Sequence, residues 1–501
     1  MDKKGSGLVF KALIAAVLCT LCAGGLVLPN FLDEKPEVQD TIVEDTIIED
    51  TIVSASSKSG VYEDKIFSDK VHSLDIQMTD SAFDSLILSA LDEEWHPCDI
   101  VIDGVLFEKV GIRVKGNTSL EAVYDNNLSR YSFKLKFNKY IKEQTCYGLD
   151  EISLNNILAD TTYMKEYLAY DMFKYIGAVA PLSSFMDISI NGNPWGLYIG
   201  VECIDDSFFI RNYGDDKGEL YKPEAHDLRY GAQINSDETG DSEIDIKGEN
   251  LVYIDDNFEN YSTVFETVKT NINSTDKVRL IESLKILNSG DNISTVVDID
   301  NTLKYWVVNN FISNFDSYLS DCPHNYYLYE RNGVMTLFPW DLNLSFGSYP
   351  FTLDGNWTKE LDDMTIMVNM PIKVPVNESF KGERPFIEQV VGSYEDLYVK
   401  YLNAFIEGYF DSGYFDKKYE NTINMILPYI EKDVTCFYDL EDVEQGQKVL
   451  KEFIRLRLES VKGQLSGSVD INDESTYIDG SMYNIEDIGH QKGGFVPTKG
   501  K

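Results

Sequence analysis

Histidine is scarce in this sequence, with 5 among 501 residues, and no two of them form an HExxH arrangement. A zinc hydrolase would lack its usual ligands. Cysteine is also sparse. Of 7 cysteines, Cys19 and Cys22 lie in an N-terminal apolar stretch, and Cys98, Cys146, Cys203, Cys322 and Cys436 are scattered. No CxxC pair occurs beyond that stretch, so neither a disulfide framework nor a zinc ribbon is expected. Positive charge is short too: 44 basic residues face 84 acidic ones, a formal net charge of -40. Such a surface repels phosphate backbones and anionic headgroups, which excludes nucleic acid as a partner class. Its plainest meaning is a solvated face on an exported protein.

Apolar residues make up 43% of the chain and aromatics 12%, enough for a large core. The length suggests two or three units. Lys3, Lys4 and Lys11 precede an uncharged run over 12–28 that ends at Pro29. Residues 1–30 therefore read as a signal peptide or signal anchor, with the bulk of the chain exported. Membrane contact is expected through this segment only. The acidic repeat Asp40-Thr41-Ile42-Val43-Glu44, resumed at Asp45 and Asp50, marks residues 31–60 as an extended linker. A stretch rich in Gly, Ser, Asp and Lys at 466–501 reads as a loose tail.

The body, 61–465, starts β-rich. Residues 100–107 form a hairpin around Asp103-Gly104. Val110–Val114 and Tyr131–Phe137 alternate as strands. The second places Ser132, Lys134 and Lys136 on one face and Phe133, Leu135 and Phe137 on the other. Apolar spacing at Met164, Leu168, Met172 and Ile176 predicts a helix over 162–176. Strands at 186–190 and 197–202 follow, joined through 191–196. From Tyr253 the pattern is helical, broken by short strands near 326–328 and 336–338. This order predicts an α+β, two-lobed protein-kinase-like fold, with a β-rich N-lobe at about 61–205 and a mainly helical C-lobe at about 206–465.

The residues suited to chemistry cluster between 314 and 347. Phosphoryl transfer needs one carboxylate for the acceptor hydroxyl, and a second carboxylate with a neutral oxygen ligand for Mg²⁺. Asp316, Asn325 and Asp341 supply that set in that order, punctuating two aromatic strands. Isolated residues of these types are more often loop caps. A turn at Lys115-Gly116-Asn117 can offer backbone N–H groups to phosphate oxygens, although such turns are common. A lysine of the polar strand face can reach phosphates, or simply be solvated. Glu166 can fix that lysine if buried, or be an ordinary surface residue. The strand 198–205, which carries Glu202, can present backbone to an adenine edge or be plain core.

With these pieces in place, the chain resembles the CotH kinase family, atypical protein kinases of the spore-coat protein H group. The matching motifs are RVKGNTS, SFKLKF, LNNILADTTYMKEYLAYDMFKYIGA, DISINGNPWGLYIGVECID, GELYKP, NFDSYLSDCPHNYYLY and FPWDLNLSFG. The resemblance implies ATP- and Mg²⁺- or Mn²⁺-dependent phosphorylation of protein Ser/Thr at a cell surface or spore coat. It makes Asp316 the catalytic aspartate, Asp341 the metal aspartate and Asn325 a second metal ligand. It implies a nucleotide site with Lys134 (Lys136 as the alternative), Lys115, Gly116, Asn117, Glu166 and Glu202. Lys165 and Asn343 depart from the Arg and Asp that family members often carry. An inactive surface adhesin or scaffold on the same fold, or an adenylyl transferase, are the alternatives.

Overall fold

The computed structural model describes residues 61–224, 248–320, 323–349, 361–373 and 382–489. The expected leader and linker, 1–60, lie outside the described residues. Among the described residues, no helix is long and apolar enough to cross a membrane.

Seven strands close into a barrel: β1 (Val71–Gln77), β2 (His96–Ile102), β3 (Val105–Lys115), β4 (Ser132–Lys136), β5 (Glu151–Asn155), β6 (Ser183–Ile190) and β7 (Asn193–Glu202). Their order is β1-β2-β3-β4-β5-β7-β6, and β6 returns to β1 in parallel, with Leu74 opposite Ile188. The other pairings are antiparallel. Two-residue turns at Asp103-Gly104 and Asn191-Gly192 have positive φ at both positions, which matches the twist of their strands. The predicted six-residue connection at 191–196 is therefore shorter, and both strands are longer.

The strand period sorts the barrel into faces. Ile112, Val114, Phe133, Leu135, Ile152 and Leu154 pair laterally and are all buried, so they fill the interior. Each such side chain contributes about 1.5–3 kcal/mol on burial. Arg113, Lys115, Ser132, Lys134, Ser153 and Asn155 fall on the outer face by the same register.

A second sheet, β8 (Glu219–Tyr221), β9 (Tyr326–Arg331) and β10 (Val334–Pro339), runs in the order β10-β9-β8. Helices Lys165–Ile176, Ile299–Phe311, Tyr414–Ile430 and Leu440–Ser466 pack around it and the barrel. The two-lobed kinase-like expectation is corrected here. The N-terminal sheet closes on itself, and one apolar core runs continuously from Tyr62 to Ile488. No boundary divides it at 205. The expected loose tail also packs through residue 489, with Val469, Ile485 and Ile488 buried.

Candidate active site

A cleft of about 990 Å³ opens between the outer face of β3–β5 and the end of the second sheet. Its walls include Lys115, Lys134, Glu166, Asp316, Asn325 and Asp341. Eight of the nine site residues predicted from sequence therefore line one cavity, and the ninth, Glu202, does not.

Asp316 follows helix Ile299–Phe311 and is buried. Its Oδ1 lies 2.8 Å from His324 Nε2, and its Oδ2 accepts from Asn325 Nδ2 at 3.0 Å. The carboxylate is thus fixed on both oxygens. Asn325 and Asp341 flank the open end of the β9–β10 hairpin, where Trp340 N donates to Asn325 O at 3.3 Å. Both adopt the left-handed region, with φ of 53° and 59°, which Asn and Asp tolerate best after glycine. The Asp341 carboxylate accepts no side-chain or backbone hydrogen bond among the described residues, and the Asn325 amide oxygen is likewise available.

Glu166 is buried at the start of helix Lys165–Ile176. Its oxygens accept from Asn155 Nδ2 at 3.1 and 2.9 Å, and Asn155 Oδ1 accepts from Lys115 Nζ at 2.6 Å. The glutamate therefore fixes a strand lysine through an amide, and that lysine is Lys115. Burial, then the neighbouring Asp341, pushes the Glu166 carboxyl up to about 7. Burial holds the Lys115 ammonium below its ordinary range, although Asp341 and Glu166 pull the other way. Lys134 and Lys136 share one carboxylate, Glu151, the former at 2.8 Å.

The Lys115-Gly116-Asn117 turn lines the cleft, but Gly116 N donates to Glu93 Oε1 at 3.2 Å and Asn117 Nδ2 to Glu224 Oε1 at 3.1 Å. Gly116 has φ +128°, and a Cβ there would sit 2.6 Å from Ser119 Oγ. Glu202 pairs across from Ile152 and so belongs to the inner face. It is held by Arg211, with Nη2–Oε2 at 2.6 Å, by Tyr62 OH at 2.6 Å and by Leu182 N at 3.0 Å. This is a buried structural ion pair. Sequence reading also passed over Asn155 and Lys222. Lys222 enters the cleft from the end of β8, and its only sequence signal is its place in GELYKP.

The Glu166 shift carries a stability consequence. Its value in the folded protein lies above the ordinary 4.5. The contribution is therefore full below pH 4.5 and is lost as pH rises through about 7. In buffer with a chelator, Glu166→Gln is expected to stabilise the protein at pH 8.5, by on the order of 2 kcal/mol, and to change little at pH 4. Denaturant melts at both pH values check this, and parallel curves would refute it.

Among the described residues, no three His, Cys, Asp or Glu side chains gather as a metal cage. Mg²⁺ is ordinarily held by one or two carboxylates plus phosphate oxygens and water. The unengaged Asp341 carboxylate and the Asn325 amide oxygen fit that donor set.

Inner spore coat protein H of Bacillus subtilis (strain 168) is 20% identical over 332 residues, covering 65% of this chain and 82% of that protein. The family model described as CotH kinase protein matches residues 112–461, from within β3 to near the end of the last long helix, and the chain belongs to that family.

Proposed function

We propose that this protein transfers the γ-phosphoryl group of ATP to Ser or Thr hydroxyls of surface or spore-coat proteins, with Mg²⁺ or Mn²⁺. The observation that carries the reading is the pairing, in one cleft, of a clamped carboxylate with a free one. Asp316, oriented by His324 and Asn325, accepts the proton of the acceptor hydroxyl. Asp341 and Asn325 would hold the divalent ion, which when bound neutralises phosphate charge and orients the transferred group. Lys115 reaches the phosphates while Asn155 and Glu166 keep its ammonium in place. Lys222, whose Nζ lies 3.7 Å from Glu224 Oε2, adds a further cation to the cleft lining. The relative's name, an inner spore coat protein, supports a coat or surface location.

Lys115, rather than Lys134 or Lys136, takes the nucleotide role in this reading, because the other two are both engaged by the Glu151 carboxylate, whereas Lys115 bonds only the neutral amide of Asn155. Calorimetry with ATP and Mg²⁺ tests it. Lys115→Met is expected to weaken nucleotide binding by about 10-fold or more, and Lys136→Met by less than about 3-fold. The reverse order would move the role to β4. No binding by the wild-type chain would leave a scaffold on the same fold.

A further inference from the structure

The residues after helix Leu440–Ser466 lie beyond the family match, which ends at 461. They nevertheless pack against the body, at Thr365 and Asn369 and at Thr161 beside the cleft-lining residues Ala159 and Asp160. Asn369 Nδ2 donates to Ile478 O at 2.8 Å, and Gly480 N donates to Thr365 Oγ1 at 2.8 Å. Ile485 and Ile488 are buried. Thr161 Oγ1 donates to Asp487 O. At the end, Gly489 has φ +83°, and a Cβ there would lie 2.5 Å from Ala159 O.

The end of this segment meets Lys165, which is fully buried. Its Nζ donates to Ala159 O at 2.8 Å, Ser348 Oγ at 2.8 Å and Gly489 O at 2.9 Å. An ammonium has three protons, and each goes to a different part of the chain. Ala159 belongs to the loop that lines the cleft. Ser348 follows the segment that carries Asp341. Gly489 ends the C-terminal segment. Asn343 Nδ2 adds a link to Leu158 O at 3.2 Å, and Leu158 also lines the cleft.

We infer that residues 469–489 form a strap whose docking on Lys165 sets the shape of the nucleotide cleft, making Lys165 a positioning residue. The inference rests on the proposed function for its nucleotide readout, but docking itself can be measured without nucleotide. Undocking frees one of the three acceptors, and the 157–161 loop and the Ser348 segment lose their shared tether.

The test uses the full chain with Lys165→Met, Lys165→Arg and Gly489→Ala. Amide hydrogen exchange is followed at 157–164 and 478–489, and Mg²⁺–ATP binding and turnover are measured in parallel. Lys165→Met and Gly489→Ala are expected to speed exchange in both segments together and to raise KM for ATP about 10-fold, with a smaller change in kcat. Lys165→Arg, which keeps the donors, is expected to restore both. Faster exchange at 478–489 alone, with 157–164 and ATP affinity unchanged, would overturn the strap. If the wild-type chain binds no ATP, the proposed function fails, and coupled exchange of the two segments still decides the strap.

Discussion

Asp341→Asn is expected to reduce phosphoryl transfer by about 10²–10³-fold while leaving the fold intact. The reasons lie in one residue's geometry. Asp341 sits at φ 59°, immediately before a short 3₁₀ turn. Asparagine accepts that conformation, whereas alanine would add about 1–2 kcal/mol of backbone strain. The asparagine variant therefore isolates the charge. No hydrogen bond to the carboxylate is lost, since it accepts none among the described residues. The nearby Glu166 should respond as well. Losing the Asp341 charge removes one of the influences that raise its carboxyl. A variant that melts like wild type but no longer transfers phosphate would place the missing charge in the chemistry. Retained activity would remove Asp341 from it.

The largest stability effect is expected at a buried ion pair. Asp433→Ala should destabilise the protein by about 3–5 kcal/mol, because it strands a buried guanidinium. Arg130 and Asp433 are both essentially inaccessible, with Nη1–Oδ2 at 2.7 Å. Asp433 also accepts from Leu197 N at 2.9 Å and Thr435 N at 3.0 Å. Arg130 donates through Nε to Asn156 O at 2.8 Å and stacks over Tyr198, 4.6 Å from its ring centroid. The pair thus clamps β7 of the barrel and the start of the cleft loop to the chain beyond helix Tyr414–Ile430. Gly196 leaves the room it needs, since a Cβ there would lie 2.4 Å from Arg130 Nη1. Replacing both partners with apolar residues of similar size should cost far less than the single change. Urea melts of the single and double variants check this, and equal losses would contradict it.

Much of the local structure was legible in the chain. Asp103-Gly104 marked its hairpin because both positions need positive φ. The alternation of Phe133, Leu135 and Phe137 identified the buried face of β4. The run FPWDLN, with NFD and HNY before it, brought Asp316, Asn325 and Asp341 together. What escaped was long-range. Barrel closure depends on β1 meeting β6, more than a hundred residues away, and the seven-residue run VHSLDIQ signals no partner. Glu202 was misplaced because β7 is buried on both faces, so composition does not show that its register opposite Ile152 turns it inward. The ion pairing of Lys134 was hidden for a similar reason. Glu151 sits outside both motifs, yet its carboxylate pairs with both lysines of β4. The packed segment 469–489 looked loose because the apolar residues it buries, Val469, Ile485 and Ile488, have no regular spacing.

The central claim is that Asp316 and Asp341 act together on the γ-phosphoryl group. Incubation of the purified full chain with γ-labelled ATP, Mg²⁺ or Mn²⁺ and coat-protein acceptors measures this most directly, beside Asp316→Asn and Asp341→Asn. Label on Ser or Thr from the wild type, reduced by about 10²-fold or more in each variant, is the predicted result. Equal labelling by all three proteins, or transfer of AMP in place of phosphate seen by intact mass, would contradict it.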